Sequence, residues 1–157
     1  MKLVHKKHPN IKVVIAGKGR FHFDIELYRK LCYVEILNRY IPEWEIAQLL
    51  HNCLFAVCPY RDATQSGVVQ TAFSAGVPLI VTDVGGLPEA VKDGVTGLVI
   101  PPNDVNSLKM AIENLIESPD LLKMFKKNID KIWYPTMNWG PVADKYIQCY
   151  EDLLNGI

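Results

Sequence analysis

Short apolar runs that alternate with helix-forming segments are the feature of this sequence that most constrains its fold. Each run is rich in β-branched residues and ends near glycine, proline or a polar residue, which is typical of strands in a buried parallel sheet. The predicted strands cover residues 11–17, 33–41, 54–58, 78–82 and 96–100. Their alternation with helices predicts a single α/β domain built on a doubly wound, Rossmann-like parallel sheet.

The segments between these runs carry the helix signals. Pro42 suits the first position of a helix, Gly76 suits the position just past the end of one, and Asp104 suits a helix cap. The predicted helices cover 42–52, 67–75, 105–117, 119–129 and 141–154, with another through Phe23, Leu27 and Leu31 and one turn within 83–94. Each has apolar residues spaced to form one buried stripe.

Composition limits the function classes. The 157 residues are 49% apolar, which is enough for one compact core. Seventeen basic residues balance seventeen acidic ones, so no net field attracts the chain to nucleic acid or to an acidic membrane. No apolar run approaches the roughly 20 residues that a membrane span needs, and the first ten residues contain no apolar signal segment. We therefore expect a cytoplasmic protein with no nucleic-acid partner.

The cysteines and histidines give no sign of a metal centre. The cysteines are Cys32, Cys53, Cys58 and Cys149, and the histidines are His5, His8, His22 and His51. No Cys-x-x-Cys pair occurs, which favours buried free thiols over disulfides or zinc ligands. Two of the histidines lie in a basic segment that we expect to be solvated, and the other two lack a ligand partner at metal-binding spacing. We expect surface or helix-end histidines and no bound metal.

A polar loop leads from a predicted strand directly into an apolar helix. The loop carries Thr64, Gln65 and Ser66. It meets the helix at Gly67, at the carboxyl edge of the sheet, where ligands of doubly wound folds bind. The first amides of a helix have no internal acceptor and the helix dipole adds partial positive charge, so this position can hold a phosphate. An ordinary Ser66 N-cap is the alternative, and the pattern leaves both open.

Other catalytic signatures are weak or absent. Gly-Lys-Gly at 17–19 follows a strand but lacks the third glycine of a dinucleotide-binding loop, and no P-loop motif occurs. No Gly-x-Ser-x-Gly elbow occurs, so Ser66 is not expected to be a hydrolase nucleophile. Asp83 and Glu89 could form a carboxylate pair, although a turn and a charged helix start explain them more simply.

Residues 59–104 carry a family resemblance. Their sequence, PYRDATQSGVVQTAFSAGVPLIVTDVGGLPEAVKDGVTGLVIPPND, resembles the C-terminal, donor-binding half of retaining GT-B-fold glycosyltransferases of the large group 1 family (family 4). The resemblance continues upstream through PNIKVVIAGKG and IPEWEIAQLLHNCLFAVCPY, and downstream to MNWGPVADKYIQCYEDLL. It covers nearly the whole chain, so we expect residues 1–157 to form that one domain.

The resemblance implies a site for a UDP- or GDP-linked sugar and no metal or other cofactor. It places the donor diphosphate at the helix start from Ser66 to Val68 and the base near residues 38–41. The implied donor-binding residues are Gly17, Lys18, Gly19, Asn38, Tyr40, Ile41, Thr64, Gln65, Ser66, Gly67, Val68 and Thr71. Family members transfer the sugar with retained anomeric configuration, while basic side chains and helix amides stabilise the leaving diphosphate.

The sequence departs from the family pattern at charged positions. Family members carry one glutamate near the transferred sugar and a second on the nucleotide ribose. Thr71 stands at the second position and offers the ribose a single neutral partner, while Asp62 is the candidate catalytic residue at the first. The family's diphosphate-binding arginine and lysine are expected ahead of Met1. Lys18 and Arg20 are the nearby basic candidates, although a solvated loop explains both more simply.

The resemblance also implies a partner. The acceptor-binding half is expected to come from an N-terminal domain or a partner chain, and any peripheral membrane contact from that half. We expect a saccharide or glycolipid acceptor, a role in polysaccharide biosynthesis, and no activity of this chain alone. One alternative is a non-catalytic protein-interaction module with an exposed apolar surface around Trp133, Tyr134 and Trp139. The other is a sugar-nucleotide epimerase, for which the sequence offers no convincing acid–base set.

Overall fold

Helices and parallel strands alternate in the computed structural model, which describes residues 1–20, 24–63, 66–137 and 139–156. The elements are α1 (Lys2–Lys7), β1 (Val13–Ala16), α2 (Glu26–Arg29), β2 (Val34–Leu37), α3 (Glu43–His51), β3 (Ala56–Cys58), α4 (Gly67–Ser74), β4 (Leu79–Thr82), α5 (Leu87–Ala90), β5 (Gly97–Ile100), α6 (Val105–Glu117), α7 (Pro119–Met137) and α8 (Trp139–Asn155). Each strand lies within its predicted limits.

The described strands form two parallel ladders. In the two-stranded ladder, β1 pairs with β2, and Val13 lies opposite Val34. In the three-stranded ladder, β4 lies between β3 and β5, and Leu79 lies opposite both Ala56 and Gly97. Every described pair is parallel and helices lie between successive strands, so the predicted α/β class is confirmed.

The main core surrounds β4. All four residues of this strand are at most 2% exposed, and successive side chains point to opposite faces of the ladder. On one face Leu79 belongs to a cluster with Val69 and Phe73 of α4. On the other face Ile80 belongs to a cluster with Leu115 of α6. Helices therefore enclose this ladder on both faces, as a doubly wound fold requires.

Two glycines and one aspartate shape the surroundings of β4. Gly76 has a φ of 66° and stops α4, as predicted. At Gly97 a Cβ atom would lie 2.2 Å from the carbonyl oxygen of Leu79, so only glycine allows β5 to approach β4 this closely. Asp104 caps α6 by accepting hydrogen bonds from the amides of Asn106 at 2.9 Å and Ser107 at 3.0 Å.

The two-stranded ladder is less buried than the sequence predicts. We expect β1 to be covered on both faces, yet Val14 is 45% exposed. The predicted helix through Leu27 and Leu31 consists only of the single turn α2, in which Leu27 is 58% exposed. Phe23 lies outside the described residues. Tyr28 of α2 lines a pocket together with Val13 and Ile15, so α2 lies on the face of β1 opposite to Val14. The face that carries Val14 is left exposed.

The predicted end of α7 near Ile129 is wrong. The helix continues to Met137 and contains Pro135, which removes one internal hydrogen bond. Beyond this limit Trp133 packs against Phe73 of α4, so tertiary packing continues the helix past Ile129. Although α7 has 19 residues and α8 has 17, no described helix combines sufficient length with the apolar character that a membrane span needs.

Candidate functional site

The loop between β3 and α4 presents an open helix start. Ser66 occupies the N-cap position, but its side chain makes no capping hydrogen bond in the described structure. Among the described residues, the amides of Gly67 and Val68 have no acceptor and no atom lies within 4 Å of a Cβ built on Gly67. Thr64 and Gln65 lie outside the described residues. Within the described part of the chain, this helix start therefore has the unpaired amides and the space that an anion requires.

Two residues that the sequence analysis did not identify support this loop. The buried Thr82, at the end of β4, donates a hydrogen bond from its hydroxyl to the carbonyl oxygen of Tyr60 at 2.7 Å. The Tyr60 hydroxyl lies 3.4 Å from the Ser66 hydroxyl. Burial raises the pKa of the Tyr60 phenol, with a smaller opposing effect from Ser66, so the phenol stays protonated at neutral pH. The signal that predicts such a role is their position at the carboxyl ends of neighbouring strands.

A second cluster forms where β1 and β2 end. The amide of Gly17 donates to the carbonyl oxygen of Leu37 at 3.1 Å, and the amide of Gly19 donates to Oδ1 of Asn38 at 3.1 Å. The loop after β1 is thereby held against the loop after β2. Lys18 and Arg20 are exposed, and neither has an ion-pair partner within the described ranges. The two cations are therefore available to a ligand.

The segment after β2 carries an exposed aromatic ring next to a buried anchor. Tyr40 is 74% exposed, whereas Ile41 is buried. Arg39 bridges this segment to α3 by donating to Oε2 of Glu45 at 2.8 Å. The hydrogen bond from Arg39 lowers the pKa of the Glu45 carboxyl and raises that of the guanidinium, so both stay charged around neutral pH. The anchor holds the backbone while leaving the Tyr40 ring free to stack.

Helix α3 connects the two clusters. It begins directly after residues 38–41 and packs against α4, where Ile46 contacts the core cluster of Val69 and Phe73. Both clusters also follow the carboxyl ends of parallel strands, which is the edge at which the sequence predicts a ligand.

The two positions that depart from the family's acidic pattern are both exposed. Asp62 lies in the loop between β3 and α4. Thr71 donates a hydrogen bond from its hydroxyl to the carbonyl oxygen of Gly67 at 2.8 Å. Because that proton is engaged within the helix, the Thr71 hydroxyl can offer a ligand only its acceptor lone pairs.

The structure corrects several expectations about cysteines and histidines. All four cysteines are free, but Cys32 and Cys149 are exposed and only Cys58 is fully buried. His5 is not solvated, because its ring stacks on Tyr33 with centroids 3.6 Å apart. His8 contacts Oε1 of Glu117 at 3.1 Å.

The remaining expectations on metals and aromatic residues have mixed outcomes. His51 is exposed in the last turn of α3, and His22 lies outside the described residues. In the part of the chain that the structure describes, no three His, Cys, Asp or Glu side chains are grouped as metal ligands would be. Trp133 is not an exposed contact residue, because it packs edge-on against Phe73 with ring centroids 6.2 Å apart. The side chains of Tyr134 and Trp139 lie outside the described set.

Comparison with known proteins finds one family across most of the chain. The family model described as "Glycosyl transferases group 1" matches residues 1–118. An uncharacterized glycosyltransferase of Methanocaldococcus jannaschii is 31% identical over 147 residues, which are 92% of this chain and 41% of that protein. Glycogen synthase of Mycobacterium tuberculosis is 27% identical over 150 residues, or 94% of this chain and 36% of that enzyme. The chain thus spans about two fifths of the length of these relatives.

Solved structures share the fold at low sequence identity. The HepE protein of Anabaena, solved in complex with UDP and glucose, superposes with a TM-score of 0.78 at 18% identity, over 96% of this chain and 43% of that one. Sucrose-phosphate synthase of Thermosynechococcus elongatus superposes with a TM-score of 0.74 at 19% identity, over all of this chain and 50% of that one. These likenesses confirm the predicted fold, which corresponds to the C-terminal half of a GT-B glycosyltransferase.

Proposed function

The chain belongs to the group 1 glycosyl transferases, and we propose that it is the donor-binding domain of such an enzyme, with a UDP- or GDP-linked sugar as its ligand. The observation that carries this proposal is the open start of α4, where the amides of Gly67 and Val68 lack described acceptors beside an unobstructed surface. The solved relative HepE, which has this fold, was crystallised with UDP and glucose.

In this proposal the diphosphate binds at the start of α4. The two amides donate to phosphate oxygens, and the helix dipole adds partial positive charge. Ser66 is available to assist because its hydroxyl caps no amide in the described structure. Tyr60 and Thr82 keep the loop in place. Lys18 or Arg20 adds a mobile positive charge, and the proposal assigns no metal and no cofactor to the site.

The nucleoside binds at the second cluster in this proposal. Tyr40 presents an exposed ring on which a base can stack, and the neighbouring backbone is anchored by Ile41 and the Arg39–Glu45 pair. The Thr71 hydroxyl accepts a hydrogen bond from a ribose hydroxyl. A neutral acceptor binds a hydroxyl more weakly than a carboxylate does, so this contact adds little affinity.

The reaction that we propose is glycosyl transfer with retention. The acceptor oxygen bonds to the anomeric carbon from the face on which the diphosphate departs, the bond from that carbon to the diphosphate oxygen breaks, and the acceptor's proton passes to the departing diphosphate. The α4 amides stabilise the negative charge that develops on this leaving group. Asp62, in the exposed loop before α4, faces the transferred sugar in this scheme. The acceptor is a saccharide or glycolipid, and the chain by itself is inactive because the acceptor site lies elsewhere.

A partner for the chain has a surface available on α8. Five apolar residues of this helix are each more than half exposed, and their spacing places them on one side of the helix. They are Tyr146, Ile147, Tyr150, Leu153 and Leu154. An exposed stripe of this size favours contact with another domain or chain, which we propose to be the acceptor-binding half. The same stripe favours the second candidate function, a non-catalytic protein-interaction module.

Titration calorimetry with UDP, GDP and ADP, beside UDP-glucose and GDP-mannose, tests the proposal. We expect saturable binding with preference for one base. Gly67→Asp places a carboxylate beside the phosphate and is expected to weaken binding about tenfold or more, because like charges about 4 Å apart repel by roughly 1–4 kcal/mol.

Gly140→Asp is the matched control. It introduces the same carboxylate in the first turn of α8, where no described atom lies within 4 Å of a Cβ, and it should leave affinity unchanged. Equal affinity in the two variants would refute the phosphate assignment. No binding of any nucleotide to the parent chain would favour the protein-interaction module instead.

A further inference from the structure

The side-chain amide of Asn38 is held in one orientation just past the carboxyl end of β2. Its Oδ1 atom accepts a hydrogen bond from the backbone amide of Gly19 at 3.1 Å. A backbone N–H can donate only to the oxygen of a carboxamide, so this contact decides which branch of the Asn38 side chain faces Gly19. The Nδ2 amino group is therefore the branch that is turned away from the loop after β1.

This amino group is available to a ligand. Asn38 is exposed, and within the described ranges its Nδ2 atom has no hydrogen-bond partner. An amide nitrogen of this kind carries two protons and accepts no hydrogen bond. Because the contact with Gly19 sets the orientation before any ligand arrives, a ligand that binds Nδ2 immobilises little additional side-chain freedom. Asn38 thus presents a preorganised donor at the edge of the sheet where ligands of this fold bind.

Neighbouring polar groups of the same segment are engaged with one another. The Arg39 guanidinium donates to the carbonyl oxygen of Tyr40 at 3.2 Å and to Oε2 of Glu45 at 2.8 Å. The carbonyl oxygen of Leu37 accepts from the amides of Gly17 and Arg39, at 3.1 Å and 3.0 Å. One cation and two carbonyl acceptors are thereby occupied, so a ligand at this segment meets the side-chain amide as a donor with fewer competing acceptors beside it.

Nucleobases differ in what they present to such a donor. Uracil carries a carbonyl oxygen at O4 and guanine carries one at O6, and both oxygens accept hydrogen bonds. Cytosine and adenine carry an amino group at the corresponding ring position, which donates instead. A fixed amino group on the protein therefore pairs with the first two bases and opposes a second donor in the other two.

We infer that Asn38 is a specificity-determining residue that selects a keto base, uracil or guanine, over an amino base, cytosine or adenine. The inference rests on the proposed donor site, in which the base stacks on Tyr40, two residues after Asn38. The Nδ2 group donates to O4 of uracil or O6 of guanine. The Gly19 amide keeps the carboxamide from turning over to present its oxygen, so the loop after β1 takes part in the choice of base.

Titration calorimetry with UDP and CDP tests this role, because their bases differ in the group at position 4 and in the proton at position 3. The parent chain is compared with Asn38→Asp, whose carboxylate still accepts from Gly19 but replaces the amino group with a second acceptor. Asn10→Asp is the matched control, since it adds the same charge in the exposed turn before β1, at the amino edge of the ladder. Inosine diphosphate and ADP repeat the comparison with purines, as a carbonyl oxygen and an amino group at position 6.

We expect the parent chain to bind UDP about tenfold more tightly than CDP, because two opposed donors lose one hydrogen bond. Asn38→Asp should abolish or reverse this preference, and Asn10→Asp should retain it. Equal binding of UDP and CDP by the parent, or an unchanged preference in Asn38→Asp, would overturn the role of Asn38 while leaving the donor site in place. Failure of the parent to bind any of the four nucleotides would overturn the donor site itself, and the role of Asn38 with it.

Discussion

The three-stranded and two-stranded ladders are built from similar apolar runs but differ sharply in burial. In β4 every residue is buried, because α4 covers one face and α6 covers the other. In β1 Val14 is 45% exposed, because α2 lies on the opposite face of the strand, with Val13 and Ile15. The residues of a strand thus allow burial, whereas the packing of a helix against each face decides whether it occurs.

The difference in burial predicts different roles for the two ladders, stability of the fold for the three-stranded ladder and ligand recognition for the two-stranded one. The proposed diphosphate position lies on the three-stranded ladder, where Thr82 and Tyr60 hold its loop. The proposed base position lies on the two-stranded ladder, where hydrogen bonds of Gly19 and Asn38 join two exposed loops. We therefore expect substitutions in the first region to affect folding, and substitutions in the second to change ligand preference in a folded protein.

The largest effect is expected for Gly97→Ala in the three-stranded ladder. The added methyl group would lie 2.2 Å from the carbonyl oxygen of Leu79, and this backbone cannot move without breaking the β4–β5 pairing. We expect the free energy of unfolding, measured by urea denaturation, to fall by about 3 kcal/mol or more. Gly140→Ala, with no described atom within 4 Å of its new methyl group, should leave stability unchanged or raise it slightly. Similar losses of unfolding free energy in both variants would contradict the close approach of β5 to β4 at Gly97.

A pair of leucine truncations compares the two ladders directly. Leu79→Ala removes a fully buried side chain of β4 and should lower the free energy of unfolding by about 3 kcal/mol. Leu27→Ala removes an exposed side chain of α2 and should change it by no more than about 0.5 kcal/mol. Urea denaturation of both variants measures this difference. A large loss for Leu27→Ala would show that the two-stranded ladder is covered more fully than the structure indicates.

The smallest effect concerns the cap of α6. Hydrogen bonds from the Ser107 hydroxyl and from the Ser107 and Asn106 amides lower the pKa of the Asp104 carboxyl below its ordinary value. A lowered folded-state pKa adds stability that is present above about pH 4 and is lost as pH falls through the folded-state value. Asp104→Ala should therefore lower Tm by about 3 °C at pH 7, and less as the solution is acidified.

Thermal melts from pH 7 to pH 3 measure this dependence. Asn106→Ala, a change in the same turn that removes no charge, serves as the control and should show a difference from the parent that is independent of pH. If the Tm difference between Asp104→Ala and the parent stayed constant or grew on acidification, the stabilising effect would not come from the ionised Asp104 carboxylate.

The sequence correctly predicted the helix ends that depend on a single local residue. Asp104 fixes the start of α6, Gly76 fixes the end of α4, and both match the structure. The sequence missed what depends on distant packing. Trp133 packs against Phe73 beyond the predicted end of α7, and the face of β1 that carries Val14 is left exposed although helices are predicted to cover both faces.

The same holds for the candidate site, whose local part was predictable and whose long-range contacts were not. The start of α4, whose first two amides have no described acceptor, follows from a polar loop that meets an apolar helix at Gly67. The support from Thr82 was not predictable, because it joins residues 22 positions apart that meet only after β3 and β4 pair. The link between Gly19 and Asn38 likewise depends on the pairing of β1 with β2.

The most direct test of the central claim is an NMR titration of the ¹⁵N-labelled chain with UDP and GDP. We predict saturable shifts of the Gly67 and Val68 amides, together with those of Gly19 and Asn38, because one ligand would contact both ladders. Shifts confined to other regions such as α8, or no saturable shift at millimolar nucleotide, would contradict a donor site at the start of α4.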